Sequence, residues 1–360
     1  MYKKAALINT KNLKNDKIIL TIIKEKKMET SIPKDLIGVR PFNEGESYWI
    51  IKDIIPIYAF TIVLGMLASI ITIFFFWKRE KYNMDYLFWL IVITIPSSIV
   101  GARFGFILER LVVGDFSILK TWWNIRSGGM SIQWGVIFPT VGNLIYAYFK
   151  QREFDWRKAF SFILPAVLIG QAIGRWGNFT NHEVYGKLDP TGASVDWLGS
   201  FIRQNMFIRD SFAPNGQLRV PLFFYEFLTS IFGYIVIVWV LNLFSWLKPG
   251  STGALYIVYY GVVRASMEYL RQEAYLYYFI IAILMIIMGI ILFIRFEFFP
   301  DYHLYINLKK KEFKLNKIAR YTKSKEVFLG ISWYRWTRNP EAIIEPKAKQ
   351  SRNQKQAVTN

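Results

Sequence analysis

The sequence predicts an all-α polytopic membrane protein, with seven transmembrane helices and a small extracytoplasmic head region. Three observations predict it. Of 360 residues, 53% are hydrophobic and 18% aromatic. The mean hydropathy of +0.23 is too apolar for an ordinary soluble domain. The apolar residues come in blocks of about 20, the length that crosses a bilayer.

Residues 1–50 are polar and basic and read as a tail or small cap. The expected spans are roughly Ile54–Trp77, Tyr86–Leu108, Gly128–Phe149, Lys158–Asn178, Pro221–Trp246, Thr252–Leu270 and Tyr275–Phe296. Each must be helical, because lipid offers the backbone no hydrogen bonds. Pro56, Pro96, Pro139 and Pro165 fall inside or near span ends, where membrane helices tolerate kinks. Together the spans give a membrane domain over 51–296. A polar segment, 179–219, is long enough for a small external domain, and a basic tail occupies 297–360.

The short basic loops set the orientation. "WKREK" follows the first span, "KQREFDWRK" the third, and "LKKKEFKLNK" the seventh. If seven spans alternate, all three lie on one side, and the positive-inside rule makes it cytoplasmic. The C-terminus is then cytoplasmic. The net charge of +19 sits mostly at the chain ends. It suits an anionic membrane surface, and no nucleic-acid-binding fold accompanies it. With no cysteine, disulfides, thiolate metal sites and a cysteine nucleophile are excluded. His182 and His303 are the only histidines, so no metal site and no cofactor are expected.

Ionisable groups inside a membrane are costly and mark function. Arg103 is late in the second span, and Gln133 early in the third. Arg175 and Asn178 close the fourth, and Tyr225 and Glu226 open the fifth. Arg264, Glu268 and Arg271 end the sixth, and Tyr58 starts the first. Alternate spans run in opposite directions, so all these groups should share the outer half of the membrane. On the sixth span, Tyr260, Arg264, Glu268 and Arg271 point to about 0°, 40°, 80° and 20°, one narrow polar stripe. Arg264 and Glu268 are an i, i+4 pair, and Arg271 is placed at the rim, where a long side chain can snorkel. Arginines outnumber the carboxylates here, which calls for an anion; in the outer leaflet the abundant anion is a lipid phosphate. Gly128 and Gly129 open the third span, where backbone N–H groups can meet an anion. Gly174 and Gly177 are expected to permit close contact around Arg175, and Asn178, Asn181 and Glu183 to bond one another or a ligand.

The stretch "GRWGNFTNHEVYG" resembles the signature of the prolipoprotein diacylglyceryl transferase family, with Gly174, Arg175, Gly177, Asn178, Phe179, Asn181, Glu183 and Gly186 matching. Thr180 departs from the usual apolar residue. "GARFGFILE", "GGMSIQWG", "PLFFYE" and "YYGVVRASMEYLRQE" resemble further family elements in the same order, over about residues 50–296. The resemblance implies a bacterial plasma-membrane enzyme. Its expected partners are phosphatidylglycerol, prolipoprotein signal peptides bearing a lipobox cysteine, and the lipid bilayer. It moves a diacylglyceryl group to the cysteine thiol and releases glycerol phosphate.

In that reading Arg175 holds the lipid phosphate with help from Asn178 and Gly186, and Arg264 stabilises the departing glycerol phosphate. Glu268 orients Arg264, with Tyr260 beside them, while Tyr58 and Arg103 complete a polar wall. The family's third-span histidine is Gln133 here, and an amide cannot take a proton at neutral pH, so Gln133 is given a hydrogen-bonding role. His182 is expected at the surface or in a cap. A transporter using the same cavity would need polar residues in both membrane halves and an inverted repeat. A scaffold would tolerate joint apolar replacement of Arg264 and Glu268.

Overall fold

The computed structural model describes residues 33–340 apart from residues 53, 113, 121, 124–128, 273, 308–311, 318 and 329. The basic stretch before residue 33, the chain end after residue 340, and Gly128 lie outside the described residues.

The protein is mostly helical. The long helices are α1 (Ile57–Arg79), α2 (Met84–Val112), α3 (Ile132–Phe149) and α4 (Trp156–Thr180). After the short α5 (Ser200–Asn205) come α6 (Leu222–Gly233), which continues as a π-helix over Tyr234–Asn242, then α7 (Ser251–Glu268) and α8 (Leu276–Glu297). Among the described residues, five are long and apolar enough to cross a membrane: α1, α2, α4, the α6–π segment and α8. This makes the chain a multi-pass membrane protein. Helices α3 and α7 also fall on expected spans, each 18 residues long. The helix on the third expected span starts at Ile132. Pro96, Pro139 and Pro165 lie inside helices, whereas Pro56 ends a strand just before α1. There its missing N–H and fixed φ cost the helix nothing.

The chain divides into two compact units. The first comprises Met1–Ser69, Val167–Tyr234 and Tyr259–Ile286, and the second Ile70–Ala166, Ile235–Val258 and Ile287–Asn360.

In the first unit, the beginning of α1 meets the end of α4 through glycines. A Cβ on Gly65 would lie 2.9 Å from the Gly170 carbonyl oxygen, so the backbones approach as only small residues permit. Beside the helix ends sits a small mixed sheet. Strand β1 (Phe42–Asn43) runs parallel to β4 (Phe207–Arg209), which pairs antiparallel with β5 (Gln217–Leu218). The ribbon β2 (Trp49–Ile51) and β3 (Ile55–Pro56) leads into α1. Leu36, Phe179, Val195, Met206, Ile208, Leu218 and Phe223 bury a common core. Thus residues before α1, read from sequence as tail or cap, supply a strand and the core residue Leu36. The segment 179–219 folds around a tight turn. Both Asp189 carboxylate oxygens are used there, by Thr191 and the Gly192 N–H on one side and by the Ser194 N–H and hydroxyl on the other. Gly192 takes φ +72°, which glycine adopts without strain.

In the second unit, α2 and α3 form a close antiparallel pair. Gly101 and Gly105, one helical turn apart, face α3, and a Cβ on Gly105 would lie 2.1 Å from the Trp134 ring. The residues 302–338, expected as tail, form two antiparallel hairpins, β6 (Tyr302–Asn307) with β7 (Glu312–Lys317) and β8 (Tyr321–Phe328) with β9 (Ile331–Arg338). The β8–β9 hairpin is fastened by charge. Lys81 lies 2.8 Å from Glu326, Arg335 lies 3.0 Å from Glu326, and Glu80 pairs with both Lys158 and Arg335. The alternating apolar pattern of "EVFLGISWYRW" carried that signal, but its lysine-rich flanks read as a solvated tail.

Candidate active site

The polar residues of the first unit join into one chain of charges. Arg175, on the last turns of α4, places Nε 2.6 Å from a Glu226 oxygen. The other Glu226 oxygen accepts a hydrogen bond from Arg271 Nη2 at 3.1 Å. Arg271 Nε lies 3.8 Å from Glu268, and Arg264 Nη2 lies 3.1 Å from the same carboxylate. Glu268 also accepts the Tyr275 N–H at 2.8 Å, which fixes its direction at the end of α7. Both carboxylates are buried, and the three guanidinium groups keep 18–24% of their side-chain surface. Three guanidinium groups thus share two carboxylates, and the arginines keep more of their side-chain surface open to solvent than the carboxylates do.

The structure adds three features that helical spacing does not give. Arg271 stands between the two carboxylates. Glu226 is the link between α4 and the end of α7. Gly174 meets no heavy atom within 4 Å, whereas a Cβ on Gly177 would lie 2.3 Å from the Thr61 hydroxyl and 3.1 Å from the Tyr58 ring. Gly177 alone of the two makes the close contact, and it brings Tyr58 against α4.

The signature polar residues after Arg175 bond mostly to each other. Arg175 Nη1 donates to Asn178 Oδ1 at 3.2 Å. Asn178 and Asn181 each donate an amide N–H to Glu183, at 2.8 and 2.7 Å, and Ser47 donates to Asn181. The network holds Arg175 in place from the side opposite Glu226. Gly186 is a backbone device: it bridges Arg271, its N–H donates to the Val220 carbonyl at 3.0 Å, and a Cβ there would lie 2.7 Å from the Leu270 carbonyl oxygen. It locks the loop after α4 against the residues that carry Arg271, so it shapes the site without facing a ligand. His182 is buried, stacked on Phe42 at 4.1 Å, with its ring nitrogens 2.6 Å from the Glu46 carbonyl and 3.1 Å from Asn205 Oδ1. It is not the surface residue expected from sequence.

Two cavities adjoin the charges. A small one of about 20 Å³ lies between Arg175, Glu226, Tyr260 and Arg264. A larger one of about 260 Å³ is lined by Arg264, Arg271, Tyr278, Glu44, Tyr185 and Asp210, among others. Arg264 reaches both, and its guanidinium stacks 5.0 Å above the Tyr278 ring. Sequence reasoning missed the far wall of the larger cavity, because Glu44, Tyr185 and Asp210 come from separate loops with no shared period. There Asp210 forms a fully buried pair with Arg219 and accepts the Tyr185 hydroxyl at 2.8 Å. Burial first, and then the bonded Asp210, push the Tyr185 hydroxyl far up.

In the second unit, Arg103 is buried and donates from Nε to the Trp122 carbonyl at 2.8 Å and from Nη1 to the Gly129 carbonyl at 2.9 Å. It braces the connection between α2 and α3. Gly129, at φ +76°, turns there beneath the Phe106 ring and does not begin the helix. Gln133 is exposed and accepts from the Ser131 hydroxyl at 3.0 Å, which also lies 2.7 Å from Glu109.

Comparison with known proteins agrees with these elements. The family model "Prolipoprotein diacylglyceryl transferase" matches residues 49–295. A phosphatidylglycerol–prolipoprotein diacylglyceryl transferase of Mycoplasmopsis pulmonis (strain UAB CTIP) is 47% identical over 278 residues, covering 76% of this chain and 86% of the relative. The protein of that name from Mycoplasmoides gallisepticum (strain R(low / passage 15 / clone 2)) is 32% identical over 76% of this chain and 79% of its own length. That of Streptococcus sanguinis (strain SK36) is 31% identical over 61% and 81%. From the matched range and the shared signature, this chain belongs to the prolipoprotein diacylglyceryl transferase family.

Proposed function

We propose that this chain transfers the diacylglyceryl group of phosphatidylglycerol to the lipobox cysteine thiol of a prolipoprotein. A thioether forms and glycerol phosphate leaves, the first step of bacterial lipoprotein maturation. The observation that carries the reading is the array of three arginines against two buried carboxylates, opening on a cavity. Such an array has room for one anion. The thiol comes from the peptide, in keeping with a chain that has no cysteine.

Arg175, set by Asn178 and Glu226, holds the phosphate of the lipid. Arg264 meets the charge that grows on the leaving oxygen as the C–O bond breaks, the step at which fixed positive charge lowers a barrier most. Glu268 orients Arg264, and Arg271 couples the two carboxylates. Tyr260 and Tyr58 close the polar wall. Seven helices span the plasma membrane, the small sheet module faces outward near the outer leaflet, and the β8–β9 hairpin is cytoplasmic. The loop charges and the family's reaction support this orientation.

The test uses the purified full chain in detergent with phosphatidylglycerol and a lipobox peptide. A mass gain of one diacylglyceryl group on the cysteine is expected. An unmodified peptide under conditions where the folded chain binds the lipid overturns the reading.

A further inference from the structure

We propose that Glu44 accepts the proton of the substrate thiol, an inference that rests on the transfer reaction above. The reaction must remove that proton. Only about 3% of a free thiol of pKa about 8.5 is ionised at neutral pH, and Gln133 cannot take a proton.

The cavity of about 260 Å³ is where the proton acceptor must stand, because Arg264 and Arg271 form one of its walls. Its described titratable groups differ in what they are free to do. Asp210 is occupied by Arg219, by the Tyr185 hydroxyl at 2.8 Å, and by the Phe212 and Ala213 N–H groups at 2.9 Å each. Tyr185 spends its own proton on Asp210. Tyr275 and Tyr278 bring phenol hydroxyls, which already carry a hydrogen to donate. Outside its lining, Glu226 and Glu268 hold arginines, Glu183 accepts from Asn178 and Asn181, and His182 is buried with both nitrogens engaged.

Glu44 is the exception. Its N–H is tied to the Arg209 carbonyl at 3.2 Å, so the backbone is fixed beside β1. Its side chain is exposed and lines the cavity. Its carboxylate makes no hydrogen bond or ion pair among the described residues. The charges around it are Arg264 and Arg271, which line the same cavity, Asp210 and Arg219 beside Tyr185, and the Arg40–Glu46 pair flanking β1.

The step balances. The thiol proton passes to the Glu44 carboxylate as the sulfur forms a bond to the glyceryl carbon. The C–O bond to phosphate breaks, and its electron pair leaves on glycerol phosphate beside Arg264. Glu44 then returns the proton to water in the open cavity.

The test compares wild type, Glu44→Gln and Glu44→Ala in the full chain, with two probe peptides identical except for cysteine or selenocysteine at the acceptor position. A selenol is already ionised at neutral pH and needs no base. With the cysteine peptide, both variants should be slower by about 30-fold at pH 7, the factor set by a thiolate share of about 3%. Their rates should rise about tenfold per pH unit toward the thiol pKa, while wild type stays flat. With the selenocysteine peptide both variants should match wild type, and their unfolding temperatures should be unchanged. Equal slowing with both peptides, or no slowing with either, overturns the role of Glu44 and leaves the transferase reading intact. A wild-type chain that modifies neither peptide overturns that reading and this inference with it.

Discussion

Glu226 stands between two arginines, one oxygen 2.6 Å from Arg175 Nε and the other 3.1 Å from Arg271 Nη2. One carboxylate on α6 thus couples the end of α4 to the end of α7. Its removal leaves two poorly solvated guanidinium groups without a shared partner, which costs more than the lost contact. Glu226→Gln should therefore lower stability by about 3 kcal/mol, read as an earlier thermal unfolding in detergent. Adding Arg271→Met should recover part of the loss, since the two side chains are in direct contact.

Arg264 is tested without removing charge. Lysine keeps the positive charge but not the fork that pairs with Glu268 and reaches both cavities. Arg264→Lys should reduce the initial rate of transfer by about 10²–10³-fold with the unfolding temperature preserved. Wild-type turnover would remove Arg264 from the reaction.

Two glycines, Gly65 on α1 and Gly174 on α4, contrast a packed position with an open one. At Gly65 a side chain would press on the Gly170 backbone, which cannot rotate away. Gly65→Val should cost about 2 kcal/mol of stability. Gly174, with open space around it, should accept alanine with a gain of up to about 0.5–1 kcal/mol. Paired unfolding curves of the two variants check the contrast.

Asp189 gives a pH prediction for the small sheet module. Burial alone would raise its carboxyl, but the hydrogen bonds from Ser194, Thr191 and Gly192 outweigh it and hold the value below the usual range. A group lowered on folding contributes stability that is present above its unfolded value of about 3.9 and is lost as pH falls through the folded value. Asp189→Asn should thus be less stable than wild type by about 1–2 kcal/mol at pH 7. The gap should narrow on acidification. An unfolding series from neutral to strongly acidic pH measures it.

The polytopic helical class is legible in apolar block length alone, and the family in one thirteen-residue signature. The Arg264–Glu268 pair is legible because it needs only helical spacing within one segment. The pairing of Arg271 with Glu226 is not legible for the converse reason: it lies just past α7, where helical spacing no longer fixes direction, and its backbone bridges Gly186. Gly174 and Gly177 look alike in sequence, and only the position of Thr61 on α1 tells them apart. Glu44, Tyr185 and Asp210 carry no local pattern, since chain folding alone brings them to one cavity. The β8–β9 hairpin is hidden by its basic composition, and the partners of its Glu326 and Arg335, Lys81 and Glu80, lie far away in the sequence.

The resting arginines are already engaged by carboxylates, so an arriving headgroup enters by partner exchange and not by filling an empty positive hole. A doubly charged monoester competes for the guanidinium groups better than a singly charged diester, because it can draw a second one away from Glu226 or Glu268. The same feature that favours bond breaking would then slow the escape of glycerol phosphate, and turnover would be governed by how quickly Glu226 and Glu268 reclaim their arginines.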